Sequence, residues 1–233
     1  MLDYHDPVLG ESVVHFLNLR GKNWIVDGTL GDGGHAELIL KHGGPQCHVL
    51  GIDQDPKALV RAQERLSIFG NRITLVQGNF RDIREILMKK NIQVIDGFLL
   101  DLGLSSLQLD TPERGFSFSK DGPLDMRMNP SEAITAADLL KTLSDGELFR
   151  ILKEFGEERF SKRIVRAIRK AQIKGPILNT LRLSQVIAGA IANRRQVKIH
   201  HATRTFQALR IAVNNELEVL KQALEGFSDV LNT

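Results

Sequence analysis

Four short apolar segments recur at regular spacing in the first hundred residues: Trp24 to Val26, His48 to Ile52, Arg72 to Gln77 and Ile95 to Asp101. Runs of Val, Ile and Leu of this length, apolar on both faces, predict buried parallel strands. Between them lie helical patterns over Ala36 to Lys41, Pro56 to Phe69 and Ile83 to Lys90. The second opens on a proline one residue after Asp55, a carboxylate cap followed by a first-turn proline. The resulting βαβαβαβ order predicts a doubly wound α/β sheet whose ligand crevice lies at the carboxyl ends of the strands. After Asp101 the pattern changes. Residues 103–128 form a polar stretch with Pro112, Gly115, Gly122 and Pro123, too long for an idle connection. Helical periodicity returns over Leu148 to Phe155, with Ser144 and Glu147 as a capping box, then over Glu157 to Ala171, Leu181 to Ala192 and Thr203 to Phe227. A helical insertion is expected rather than a continued sheet.

Composition fits this reading: 233 residues, 42% hydrophobic and 25% charged, suit a folded α/β protein. The apolar runs are far shorter than the roughly 20 residues needed to span a bilayer. Residues 1–11 carry Asp3, Asp6 and Glu11 and no apolar core, so no secretory or transit signal is expected and a cytoplasmic location follows. A mitochondrial matrix location is the expectation for a processed organellar relative. One cysteine, Cys47, excludes an internal disulfide and thiolate metal clusters, and no metal is expected.

Net charge is only +3, but between Arg150 and Arg210 there are 15 Lys or Arg against three acids. Arg159, Lys162, Arg163, Arg166, Arg169 and Lys170 fall at helical spacings, and Arg194, Arg195, Lys198, His200 and His201 form a second cluster. Such a run is the electrostatic footprint of a polyanion-binding surface.

Chemistry concentrates where the strands end. Asp27-Gly-Thr-Leu-Gly-Asp-Gly-Gly-His35 follows the first strand, and its glycines let backbone approach a ligand at a helix start. Asp53 ends the second strand, where a carboxylate accepts both hydroxyls of an adenosine ribose. Gly31-x-Gly33-x-x-Ala36 fits a dinucleotide fingerprint as well as S-adenosylmethionine, so a nicotinamide-dependent dehydrogenase stays an alternative. Asp27 favours S-adenosylmethionine, because it can meet the amine of an amino-acid tail and would repel a pyrophosphate. Asp101, Ser105, Ser106 and Gln108 lie beside the glycine loop if strand order runs 3-2-1-4. There they could hold an exocyclic amine and aim its nitrogen at the donor methyl.

Several long motifs carry a more specific signal: Asp101-Leu-Gly-Leu-Ser-Ser-Leu-Gln-Leu-Asp110, Glu113-Arg-Gly-Phe-Ser-Phe118, Asp121-Gly-Pro-Leu-Asp-Met-Arg-Met128, Gly156-Glu-Glu-Arg-Phe160 and Ala202-Thr-Arg-Thr-Phe-Gln-Ala-Leu-Arg-Ile211. In these the chain resembles the RsmH (MraW) family of 16S rRNA cytosine-N4 methyltransferases, over nearly its whole length. The resemblance implies a Rossmann-like class I methyltransferase core with a helical insertion domain. It implies methylation of a cytidine N4 amine in the decoding region of small-subunit rRNA, as naked rRNA or in the assembled subunit. It places cofactor contacts on Gly33, Gly34, His35, Asp53, Phe80, Asp101 and Gln108. Catalytic roles are expected at Asp101, Ser105 and Ser106, and RNA contacts at Arg163, Arg166, Arg194, Arg195, Lys198 and Arg204.

The expected core comprises residues 1–104 and 203–233, with residues 105–202 as the insertion. The family differs at Leu104 and Leu107, where it carries Val and Pro, and at His201, where it carries Pro. It also continues past Phe227 into further strands, whereas this chain stops at Thr233. A core lacking its C-terminal strands is the expectation, and with it a second alternative, a non-catalytic rRNA-binding assembly protein.

Overall fold

A computed structural model describes residues 6–191 and 200–232. The chain forms two compact units, residues 1–103 with 217–233 and residues 104–216.

In the first unit, strands β1 (Trp24–Asp27), β2 (His48–Asp53), β3 (Ile73–Gln77) and β4 (Gly97–Leu99) form a parallel sheet in the order β3-β2-β1-β4. The expected doubly wound order is present. The register sets Asp27 beside Gly51 and Leu99, and Asp53 beside Gln77, so two carboxylates end neighbouring strands at one edge. Helix α1 (Gly10–Leu17) precedes the sheet, and α2 (Gly34–His42), α3 (Pro56–Leu66) and α4 (Ile83–Lys89) make the crossovers. Asp55 accepts the Lys57 N–H at 3.0 Å, the cap that the sequence signalled for α3.

Alternate strand residues face two cores, Ile25 and Val49 with Ile39, Leu40 and Leu66, and Val26, Leu50 and Ile52 with Ile83 and Leu87. Each such side chain taken from water contributes about 1.5–3 kcal/mol. The last helix, α11 (Glu216–Val230), sends Val219, Ala223 and Phe227 into the second core at spacings of four. Ile95, expected in the fourth strand, lies outside β4 and instead makes a parallel bridge to Leu231.

The second unit holds α5 (Ser106–Asp110), α6 (Ala136–Thr142), α7 (Asp145–Glu154), α8 (Ser161–Ile173), α9 (Thr180–Ile191) and α10 (Thr203–Val213) around its own core of Leu140, Leu148, Ile164, Leu183 and Leu209. The capping box of Ser144 and Glu147 is present. Two helices start or stop differently from expectation. Glu157 has a φ of 48° and the Glu158 carboxylate accepts the Phe160 N–H at 2.8 Å, so α8 begins at Ser161 and not at Glu157. The single helix expected over Thr203 to Phe227 is two. Asn214 accepts the Met128 N–H at 2.7 Å and donates to the Met126 carbonyl at 2.8 Å, and Asn215 follows with a φ of 49°. Because α10 supplies Phe206, Ala208 and Leu209 to the core of the second unit, the return to the first unit comes at residue 217 and not at 203.

Candidate active site

The glycine loop of the first unit is shaped by carboxylates. Asp53 accepts the Gly31 N–H at 2.8 Å through Oδ2 and the Asp55 N–H at 2.8 Å through Oδ1. Each oxygen keeps a further lone pair for a ligand hydroxyl. Loss of water raises the Asp53 carboxyl above its usual range, while the N–H groups of Asp55, Gly31 and Gln54 pull it back. Gly33 adopts a φ of 86°, a conformation that favours glycine, and a Cβ there would lie 2.9 Å from Leu66 Cδ1, so that side chain would have to shift. From Gly33 the chain enters α2, whose first-turn N–H groups at Gly34 and His35 have no partner within the helix and suit an anion.

Arg65, on α3, donates to Glu37 at 2.8 Å and to Asp32 at 3.1 Å, tying the loop to α2. The sequence reading did not single it out. Its only signal was a cation on the face of α3 that also carries the buried Ala58, Ala62 and Leu66.

Asp27 is buried at the end of β1. Its Oδ1 accepts the Thr29 N–H at 3.2 Å, and among the described residues its Oδ2 accepts no hydrogen bond. Burial pushes this carboxyl up to about 7; His35 and the Thr29 N–H pull it down, and Asp53 and Asp101 push it further up. An orphaned carboxylate oxygen is costly unless a donor reaches it. A ligand ammonium would supply one.

Asp101 is exposed just past β4, and its backbone N–H donates to Thr29 Oγ1 at 2.6 Å. The His35 Nε2 lies 2.9 Å from the Val8 carbonyl, which can only accept, so Nε2 carries the hydrogen. The other ring nitrogen, Nδ1, lies 4.0 Å from Asp101 Oδ2. Of the residues expected to meet the cofactor, Gly33, Gly34, His35, Asp53 and Asp101 therefore gather around one loop. Phe80 is 8% exposed and belongs to the core beside Val26 and Leu50, and a Cβ at Gly28 would lie 3.1 Å from its Cβ.

Ser105, Ser106 and Gln108 belong to the second unit. There Ser105 Oγ accepts the Gln108 N–H at 3.2 Å, and Gln108 Oε1 accepts the Ser105 N–H at 3.2 Å. This reciprocal pair caps α5 and uses one lone pair of the Ser105 hydroxyl. Ser106 is the first residue of that helix.

The basic surface divides by role. Arg159, Lys162, Arg163, Arg166 and Lys170 are exposed, four of them along α8, whose opposite face buries Ile164, Val165 and Ile168. Arg169, grouped with them by spacing, is half-buried and serves the fold: it donates to Asp145 at 2.6 Å, to the Leu140 carbonyl at 2.7 Å and to the Leu143 carbonyl at 2.5 Å. Arg204 is half-buried and donates to the Glu157 carbonyl at 3.4 Å. Arg194, Arg195 and Lys198 lie outside the described residues.

Comparison with known proteins places this arrangement. Ribosomal RNA small subunit methyltransferase H of Geobacter sulfurreducens is 52% identical over 223 residues, 95% of this chain and 72% of that protein. The protein of the same name from Citrifermentans bemidjiense is 49% identical over 98% of this chain and 73% of its own length. A nicotinamide-dependent dehydrogenase is set aside by these relatives. S-adenosylmethionine carries an ammonium, a carboxylate and a ribose diol, and the orphaned oxygen of Asp27, the first turn of α2 and the open lone pairs of Asp53 match them in kind. Since the family model for MraW methylases matches residues 3–233, the chain belongs to the MraW methylase family, with S-adenosylmethionine as its methyl donor.

Proposed function

We propose that this protein methylates the N4 amine of a cytidine in the decoding region of small-subunit rRNA. The observation that carries the reading is the carboxylate-lined glycine loop with Asp101 beside it, in a chain about half identical to small-subunit rRNA methyltransferases. The exposed cations of α8 support a polyanionic substrate.

Roles follow from the donors and acceptors present. Asp53 holds the ribose hydroxyls, Asp27 the ammonium and the first turn of α2 the carboxylate. The bound cofactor supplies an electrophilic methyl group on a sulfonium. The N4 lone pair of cytosine is delocalised into the ring, so rate depends on placing that nitrogen in line with the methyl, with the base unpaired and drawn out of any stack. Asp101, exposed at the mouth, accepts an N4 hydrogen and so turns the lone pair toward the donor. As the N–C bond forms and the S–C bond breaks, N4 loses a proton to Asp101 or to water. Ser105 and Ser106 are the other residues proposed to orient the amine, since the Ser105 oxygen that caps α5 keeps a second lone pair and its own O–H.

Attack from the cytosine C5 position would need a thiolate nucleophile. Cys47 is fully buried just before β2, at the opposite end of the sheet from Asp53, and burial raises its thiol, so this chemistry is disfavoured.

The test is transfer of labelled methyl from S-adenosylmethionine into rRNA on small subunits and on naked rRNA. The reading expects label in at least one substrate, and for Asp101→Ala a fall in turnover with cofactor affinity kept. Retained cofactor and RNA binding with no transfer would favour the non-catalytic assembly protein.

A further inference from the structure

In the second unit the rings of Phe118 and His200 stack, with centroids 4.4 Å apart and planes 6° from parallel. Phe206, only 4% exposed, meets Phe118 edge-on at 5.7 Å and 82°. The His200 ring is also held at one edge, where Nδ1 accepts the Ala202 N–H at 3.2 Å. That bond sets the neutral tautomer, with the hydrogen on Nε2. Yet His200 is exposed. One ring face and one edge are fixed, while other ring surface meets solvent. His201 does not cover it as a stacked partner, its ring lying 6.5 Å away and tilted by 50°.

A solvated surface histidine needs neither a fixed edge nor an aromatic backing. Both are what an unpaired nucleobase requires, because stacking on a preordered ring orders few new groups at the moment of binding. Stacking is sequence-tolerant and works beside phosphate contacts, and the same unit exposes Lys162, Arg163 and Arg166 on α8. The Nε2–H lies in the ring plane, available to an RNA oxygen without disturbing a stacked base.

We propose that the solvent-facing side of His200, backed by Phe118, is a stacking platform for one unpaired base of the RNA substrate. This rests on the rRNA-methyltransferase reading and adds to it a residue that selects single-stranded RNA.

The experiment uses single-stranded RNA oligonucleotides of decoding-region sequence, each carrying 2-aminopurine at one position, with the wild type, His200→Ala and His200→Phe. Wild type should quench the probe at one position or two adjacent ones. His200→Ala should abolish that quenching and weaken RNA binding about 5- to 100-fold. Its thermal midpoint and affinity for S-adenosylmethionine should stay at wild-type values. His200→Phe keeps a ring face and should keep the quenching. The proposal falls if His200→Ala quenches and binds as wild type does, or if its lost binding is matched by a lowered thermal midpoint. Methyl transfer to rRNA with no quenching at any position sinks the platform alone. Quenching by wild type without methyl transfer sinks the methyltransferase reading and leaves the platform standing.

Discussion

The Asp53 carboxylate accepts the Gly31 N–H at 2.8 Å, so the residue that ends β2 shapes the loop that follows β1. The proposed role gives this one group two tasks, shaping the loop and holding the cofactor. Replacement of Asp53 by Asn keeps its shape but loses its charge and one acceptor. Cofactor affinity, measured by calorimetry, should fall at least about tenfold, the scale of a lost hydrogen bond to a charged group. An unchanged affinity would remove Asp53 from the site.

With Asp27 as the proposed partner of the cofactor ammonium, cofactor binding should depend on pH. Its usual value of 3.8 is raised to about 7, chiefly by burial, in surroundings that include His35, Asp53 and Asp101. Between those values the folded state keeps a proton that the unfolded chain releases. This contribution to stability is therefore full below 3.8 and is lost as pH rises toward 7. An ammonium ligand prefers the ionised carboxylate, so cofactor affinity should rise about tenfold per pH unit up to roughly 7 and then level off. Asp27→Asn should bind more weakly and lack that slope. A wild-type affinity independent of pH between 5 and 8 would contradict the assignment.

Phe227 is fully buried and stacks on Phe98 at 4.1 Å, with the planes 10° apart. Truncation to Ala should cost about 3–5 kcal/mol in urea unfolding, because the transfer and cavity terms add in a dense core. A cost under about 1 kcal/mol, the scale of an exposed substitution, would mean that α11 is not integral to the first unit.

Arg166 and Arg169 are neighbours in sequence with opposite expected phenotypes. Arg163→Ala with Arg166→Ala should lower the slope of log affinity for RNA against log salt by about one for each phosphate no longer neutralised, leaving stability unchanged. Arg169→Ala should leave the slope and lower the thermal midpoint, since the Leu143 carbonyl loses the Arg169 donor and the Leu140 carbonyl keeps only that of Gln172. The reverse pattern would misplace the RNA surface.

Strand positions and their order were readable in the sequence because parallel strands buried on both faces leave unbroken apolar runs, as at Val49 to Ile52. The glycine loop was readable because the φ of 86° at Gly33 strains any other residue. What escaped was set by tertiary partners. The break after α10 depends on Asn214 bonding to Met126 and Met128, 88 and 86 residues away. Arg169 shares its periodicity with solvent-facing neighbours, and only the carbonyls it meets separate clamp from footprint. Phe80 followed the ordinary behaviour of an aromatic near a strand end and joined the core. The cap at the start of α5 is visible as Ser105-x-x-Gln108, a spacing recognised at Ser144 but not here.

The most direct measurement is the identity of the product nucleoside. Small-subunit rRNA methylated with labelled S-adenosylmethionine would be digested to nucleosides and separated by mass spectrometry. The account predicts that the label appears as N4-methylcytidine, with none at C5 and none on ribose. Label in 5-methylcytidine, in a ribose methyl or in another base would contradict it.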